Sequence, residues 1–135
     1  MKRLVASIIV LVSTALALCA QVPRTPTIKI TFVPAYDPAG GPDKMQTIEG
    51  TSNGCSPKDC RVVLFSLTNR WYVQPTAASP RTFIGDDGTW RAQIHLGAEY
   101  AALLVRPAYR PPATTDALPE TGGDILAIDV KPGKK

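Results

Sequence analysis

The chain predicts an all-β fold, an antiparallel two-sheet sandwich of seven or eight strands that follows a cleaved leader. Three observations predict it. Thirteen prolines and ten glycines are spread along the 135 residues. They cut the chain into segments shorter than a typical helix of about ten or more residues. Several segments alternate apolar and polar residues with the period of a half-buried strand. One segment, Arg61 to Thr68, is apolar on both alternating faces, as a central strand covered on both sides requires.

The leader occupies residues 1–20: Lys2 and Arg3, an apolar run from Leu4 to Leu18, then Cys19-Ala20 before Gln21-Val22-Pro23. This order is that of a secretory signal peptide. Ser7, Ser13 and Thr14 interrupt the run, which falls short of the roughly 20 apolar residues of a membrane span. Two exits compete. Leu16-Ala17-Leu18-Cys19 sits where a bacterial lipoprotein would be cleaved and lipidated on Cys19, but the residue before such a cysteine is normally small, and Leu18 is not. Cleavage after Ala20 is therefore preferred, giving a secreted or periplasmic product; lipid anchoring at Cys19 is the alternative. Residues 21–135 then make one domain, with a folded core over 26–130 and a basic tail over 131–135 that frays into solvent.

The strands follow in order. Thr27-Ile28-Lys29-Ile30-Thr31-Phe32 places Ile28, Ile30 and Phe32 on one side, and Pro34 and Pro38 end it. Asp37 to Asp43, with Gly40, Gly41 and Pro42, reads as an exposed loop, and Met45 to Thr51 as the second strand. Arg61 to Thr68 is the central strand, and Asn69-Arg70 turns the chain into Trp71-Tyr72-Val73. Thr82-Phe83-Ile84 and Thr89 to Leu96 flank Gly85-Asp86-Asp87-Gly88, which has the turn chemistry of a hairpin. Trp90, Ala92, Ile94 and Leu96 share one face of the second arm; Arg91, Gln93 and His95 share the other.

Glu99 to Arg106 contains good helix formers, but Gly97 and Pro107 bracket it within about two helical turns, so it reads as a strand. After a proline-rich loop over 107–123, Asp124 to Val130 supplies the last strand, with Leu126, Ile128 and Val130 aligned. Short strands at this spacing point to an immunoglobulin-like sandwich.

Charge and composition exclude several function classes. The formal net charge of +4 falls to +2 once Lys2 and Arg3 leave, and Lys131, Lys134 and Lys135 of the remainder lie in the tail. No concentrated basic stripe of the kind a phosphate backbone requires is left, so no nucleic-acid partner is expected. Cys55 and Cys60, six residues end to end, predict a small disulfide loop in an oxidising compartment, worth about 2 kcal/mol in the chain-entropy model. A redox role would need the tighter Cys-x-x-Cys spacing. Cys55, Cys60 and His95 are too few nitrogen and sulfur ligands for zinc, and no metal or other cofactor is expected.

His95 is the sole histidine and shares the polar face of its strand with Arg91 and Gln93, so it reads as a solvated side chain rather than a catalytic base. Asp86-Asp87 is the only close acidic pair and reads as turn hydrogen bonding; it lacks the spacing of an EF-hand calcium loop. Leu118-Pro119-Glu120-Thr121-Gly122 matches a sortase signal, yet the residues after it are too few and include Asp124 and Asp129, so it reads as a loop feeding the last strand. The aromatic side chains Tyr36, Trp71, Tyr72, Trp90, Tyr100 and Tyr109 remain. Trp90 reads as core. Trp71 and Tyr72 point to opposite faces, and Tyr36 and Tyr109 lie in proline-rich loops, so Tyr36, Trp71, Tyr72 and Tyr109 are the binding candidates.

Trp71-Tyr72-Val73-Gln74-Pro75, then Asp87-Gly88-Thr89-Trp90, then Leu96-Gly97-Ala98-Glu99-Tyr100 resembles secreted bacterial immunoglobulin-like accessory domains, found alone or beside envelope and carbohydrate-active modules. The resemblance covers residues 45–130. It implies a noncatalytic module and carries over no site residue. The expected function is thus a noncatalytic secreted or periplasmic sandwich that binds a glycan or a cell-envelope partner. The alternatives are a small extracellular hydrolase using carboxylates such as Asp86, Asp87 or Glu99, and a structural envelope lipoprotein anchored at Cys19.

Overall fold

A computed structural model describes residues 24–135. The leader, both of its exits and Cys19 lie outside the described residues. Eight strands follow in order: β1 (Thr27–Phe32), β2 (Met45–Asn53), β3 (Arg61–Leu67), β4 (Trp71–Gln74), β5 (Thr89–His95), β6 (Glu99–Val105), β7 (Thr114–Thr115) and β8 (Ile125–Pro132). They form two antiparallel sheets, one of three strands ordered β1-β2-β5 and one of five ordered β7-β4-β3-β6-β8. The described residues contain no helix, and so none long and apolar enough to cross a membrane.

The fold is organised by β3 and β6, which are buried on both faces. Val62, Leu64, Ala102 and Leu104 face the three-stranded sheet and meet Ile28, Ile30, Ile48, Trp90 and Ile94 between the layers. Val63, Phe65, Ala101, Leu103 and Val105 face the other way and need a second cover. The proline-rich segment provides it: Tyr109 and Leu118 pack on that outer face, the Tyr109 carbonyl accepts a 2.6 Å hydrogen bond from Arg81, and β7 pairs with β4. What reads in the sequence as a bare connection is the lid of a second apolar layer.

Five further expectations are corrected. Phe32 leaves the face of Ile28 and Ile30 and is 50% exposed, because a register shift between Ile30 and Phe32 inserts an extra residue. A second shift, between Leu104 and Val105, breaks the alignment of Leu126, Ile128 and Val130, so that Leu126 and Ala127 pack inward and Ile128 outward. Thr82-Phe83-Ile84 is no hairpin arm. Thr82 alone pairs, exchanging two backbone bonds with Val62, while β5 pairs with β2 in the other layer. The segment is a crossover between sheets; the Gly85–Gly88 turn itself forms, closed by a Gly88 N–H to Gly85 carbonyl bond.

Trp71 is core rather than surface, at 8% exposure among Phe65, Val73 and Leu103. The basic tail does not fray. β8 continues to Pro132, the Gly133 N–H bonds the Ala98 carbonyl, and Lys134 exchanges backbone bonds with Pro34 and Tyr36.

Two details set the spacing of the layers. Gly50 pairs with Trp90 across β2 and β5, and the indole lies where a β-carbon on Gly50 would project, also crowding the Lys29 carbonyl. At the β1 and β8 margin, the Asp129 carboxylate accepts a 2.8 Å bond from the Ile30 N–H and ties the two sheets together. Cys55 and Cys60 form the disulfide, with Cα atoms 6.3 Å apart. Arg61 Nη1 donates to the Pro57, Lys58 and Cys60 carbonyls of the same loop.

Gly50→Ala is expected to destabilise the protein by about 1–3 kcal/mol through overpacking against Trp90, read as a lower urea midpoint in tryptophan fluorescence. Replacing Cys55 and Cys60 together by serine should cost about 2 kcal/mol in the same assay, and intact mass without reductant should show no free thiol in the parent protein.

Candidate functional site

Three strands cannot cover five. The three-stranded sheet seals against β8 at one margin and stops at β5 on the other, leaving the inner face of β4 beyond its edge. The result is a cleft of about 510 Å³ between the layers, within the usual range of small-ligand sites of roughly 300–1,000 Å³. Its floor is the inward row of β3 and β4, where Ser66 pairs with Tyr72 and Leu64 with Gln74. Its far wall is His95 and Leu96 at the end of β5, and its rim is the loop at Ala39, Gly41 and Pro42.

The rim is held by local chemistry. Asp37 accepts from the Gly40 N–H at 3.1 Å and pairs with Lys44 Nζ at 2.8 Å. Those bonds, with Lys44 first, hold the Asp37 carboxyl below its ordinary value. Gly40 has a φ of 58°, and a β-carbon there would strike the Leu96 carbonyl and the Thr68 methyl. Glycine therefore lets the rim close down on the end of β5.

One side chain spans the open margin. Gln74 is buried, and its Oε1 lies 3.0 Å from the His95 backbone N and 2.9 Å from His95 Nδ1. A backbone N–H can only donate, so the amide atom it meets is oxygen; that oxygen in turn requires a proton on Nδ1. In neutral His95 the lone pair is thereby placed on Nε2. The solvated histidine expected from the sequence is instead half-buried and hydrogen-bonded, because Gln74 takes both of its donors across the gap.

Ser66 lies deeper, at 2% exposure, and its Oγ has no hydrogen-bond partner among the described residues. Gly97 makes room for it, since a β-carbon on Gly97 would approach that oxygen to 2.5 Å. Tyr72 stands at the mouth at 39% exposure, with its hydroxyl 3.1 Å from Asn69 Oδ1 fixing the ring. Among the described residues no Asp, Glu, Lys or Arg lines the cleft.

Of the four aromatic candidates, only Tyr72 reaches the cleft. Tyr36 is exposed elsewhere, its ring 4.8 Å beneath Lys135 Nζ. Tyr109 covers the outer apolar layer, and burial pushes its phenol above the ordinary value. Trp71 is in the core. Ser66 and Gln74 are not among the sequence candidates, and His95 is read from the sequence only as a solvated side chain; the available signal is a serine and a glutamine placed in otherwise apolar strands.

The acidic candidates lie away from the cleft. Asp87 Oδ1 accepts from the Thr89 N–H and hydroxyl at 3.0 and 2.7 Å, which lowers its carboxyl below the ordinary value. Leu118 of the sortase-like motif is half-buried, and Gly122 pairs with Ile125, so the motif leads into β8 as a turn. Set beside protein-family models, curated proteins and solved structures, the chain matches none of them.

Asp37 and Asp87 predict the acid limb of stability. Both carboxyls sit below 3.8 when folded. Their contribution is therefore complete above that value and is lost as pH falls through the folded values. Urea midpoints taken downward from about pH 5 should fall, and the fall should be shallower in Asp37→Asn and shallower again with Asp87→Asn added.

Proposed function

We propose that the protein is a noncatalytic secreted or periplasmic module that binds a glycan in the cleft between β4 and β5. The observation that carries this reading is an uncharged concavity with an exposed, fixed tyrosine ring at its mouth and hydrogen-bonding groups at its base. A sugar ring presents an apolar C–H face and a periphery of hydroxyls. Tyr72 suits the first, and Ser66, Thr68 and His95 suit the second.

Binding is favoured over hydrolysis because glycoside cleavage uses a pair of carboxylates flanking the bond, and no Asp or Glu lines the cleft. Export is supported by the order of residues 1–20 and by the Cys55–Cys60 bridge, which suits an oxidising compartment. The resemblance to secreted immunoglobulin-like accessory domains supports the same assignment.

The test is a panel of immobilised neutral and acidic glycans, followed by calorimetric titration of each ligand retained. Tyr72→Ala should weaken binding by about tenfold, while Tyr72→Phe, which keeps the ring and loses only the hydroxyl's bond to Asn69, should weaken it far less. A folded protein that retains no glycan on the panel would remove the proposal.

A further inference from the structure

Resting on the reading of the cleft as a glycan site, we infer that it selects an N-acetylated neutral amino sugar, through the acetamido group. The base of the cleft makes three demands on an occupant. First, Ser66 Oγ is buried without a partner. A buried hydroxyl in that state is costly, and a ligand carbonyl reaching it restores the missing bond. Second, His95 Nδ1 is committed to Gln74, so neutral His95 offers Nε2 as an acceptor and asks for a ligand N–H or O–H.

Third, the rest of the lining carries no carboxylate, ammonium or guanidinium group, and Pro42, Pro75 and Leu96 give it apolar surface beside these two polar groups. An ionised substituent would lose its water there and find no countercharge. A neutral group that joins a carbonyl, an N–H and a methyl is a secondary acetamide. Ser66 would donate to its carbonyl, His95 would accept from its N–H, and the methyl would enter the apolar lining while the sugar ring lies on Tyr72. A hydroxyl at the same ring position carries its donor and its acceptor on one oxygen, so it meets both groups only if both lie within reach of that single atom, and it brings no methyl to the apolar part of the lining.

The same feature accounts for a serine at a position that stability disfavours. Ser66 sits in the run Val62-Val63-Leu64-Phe65, all fully buried, and opposite Tyr100, whose own hydroxyl is already paired with Gly97 and Ala35. Among the described residues nothing bonds its Oγ.

Chitotriose and cellotriose differ at this substituent and probe it directly. By calorimetry, chitotriose should bind about tenfold more tightly than cellotriose, one hydrogen bond plus a buried methyl setting the scale. Ser66→Ala should reduce that preference severalfold, weakening chitotriose more than it weakens cellotriose. It should also unfold at the same or a higher urea concentration than the parent, since it deletes an unpartnered buried hydroxyl. Equal binding of the two trisaccharides, or a preference that survives Ser66→Ala intact, would overturn the inference and leave the glycan reading in place. Failure of both trisaccharides, with other sugars of the panel retained, would overturn it as well; an empty panel would remove the parent reading itself. Acetylglycine methylamide binding as tightly as chitotriose would show that a peptide amide, not a sugar, is selected.

Discussion

β3 and β6 lie side by side with apolar side chains on both of their faces, and every other part of the structure answers the need to keep both faces dry. Most antiparallel sheets have one buried face and one wet one. Here the inner face takes the three-stranded sheet, and the outer face takes a proline-rich strap anchored by Tyr109 and Leu118. The strap suits its task. Prolines hold it extended across the sheet without leaving N–H groups to satisfy, and β7 and the Arg81 bond fasten it. The tail is docked for a similar reason: Gly133 fits against the Tyr36 backbone, where a β-carbon would collide, and closes the end of the inner layer.

The two covers are unequal, and the cleft is the consequence. The three-stranded sheet meets β8 through β1 and the Asp129 carboxylate, so one margin is sealed. At the other, β4 extends past β5, and the gap is spanned by the Gln74 side chain. Two inward positions that would otherwise be core, Ser66 and Gln74, are polar there. Gln74 is satisfied by holding His95, whereas Ser66 is not satisfied at all. A buried donor left without a partner lowers stability, and of the buried side-chain groups left so among the described residues, Ser66 Oγ is the one whose residue lines the cleft. The glycan proposal and its acetamide refinement both rest on this contrast between a paired clamp and an unpaired floor.

Much of the architecture was legible in local residues. The double-sided apolar pattern of Arg61 to Thr68 marks a central strand in its own right, and the Asn69-Arg70 turn returns the chain into β4. Glu99 to Val105 is a strand despite its alanines and leucines, since Gly97 and Pro107 leave no length for a helix. Misreadings arose where pairing was not local. Phe32 and Leu126 follow the right period up to a bulge, and a bulge is set by the partner strand rather than by the residue itself. Thr82 to Ile84 carries the chemistry of a hairpin arm, yet β5 found its partner in β2, some forty residues upstream.

The sequence by itself determined the class of fold, the disulfide loop, the turns and the central strand, because each depends on neighbours a few residues apart: backbone torsions, alternation and loop closure. Only the tertiary structure decided which of Trp71 and Tyr72 faces water, that the proline-rich segment is a lid, and that Ser66, Gln74 and His95 share one cleft. Those outcomes depend on which strands become neighbours and how far one sheet extends beyond the other. Burial and hydrogen-bond satisfaction are properties of that assembled space, and no periodicity along the chain encodes them.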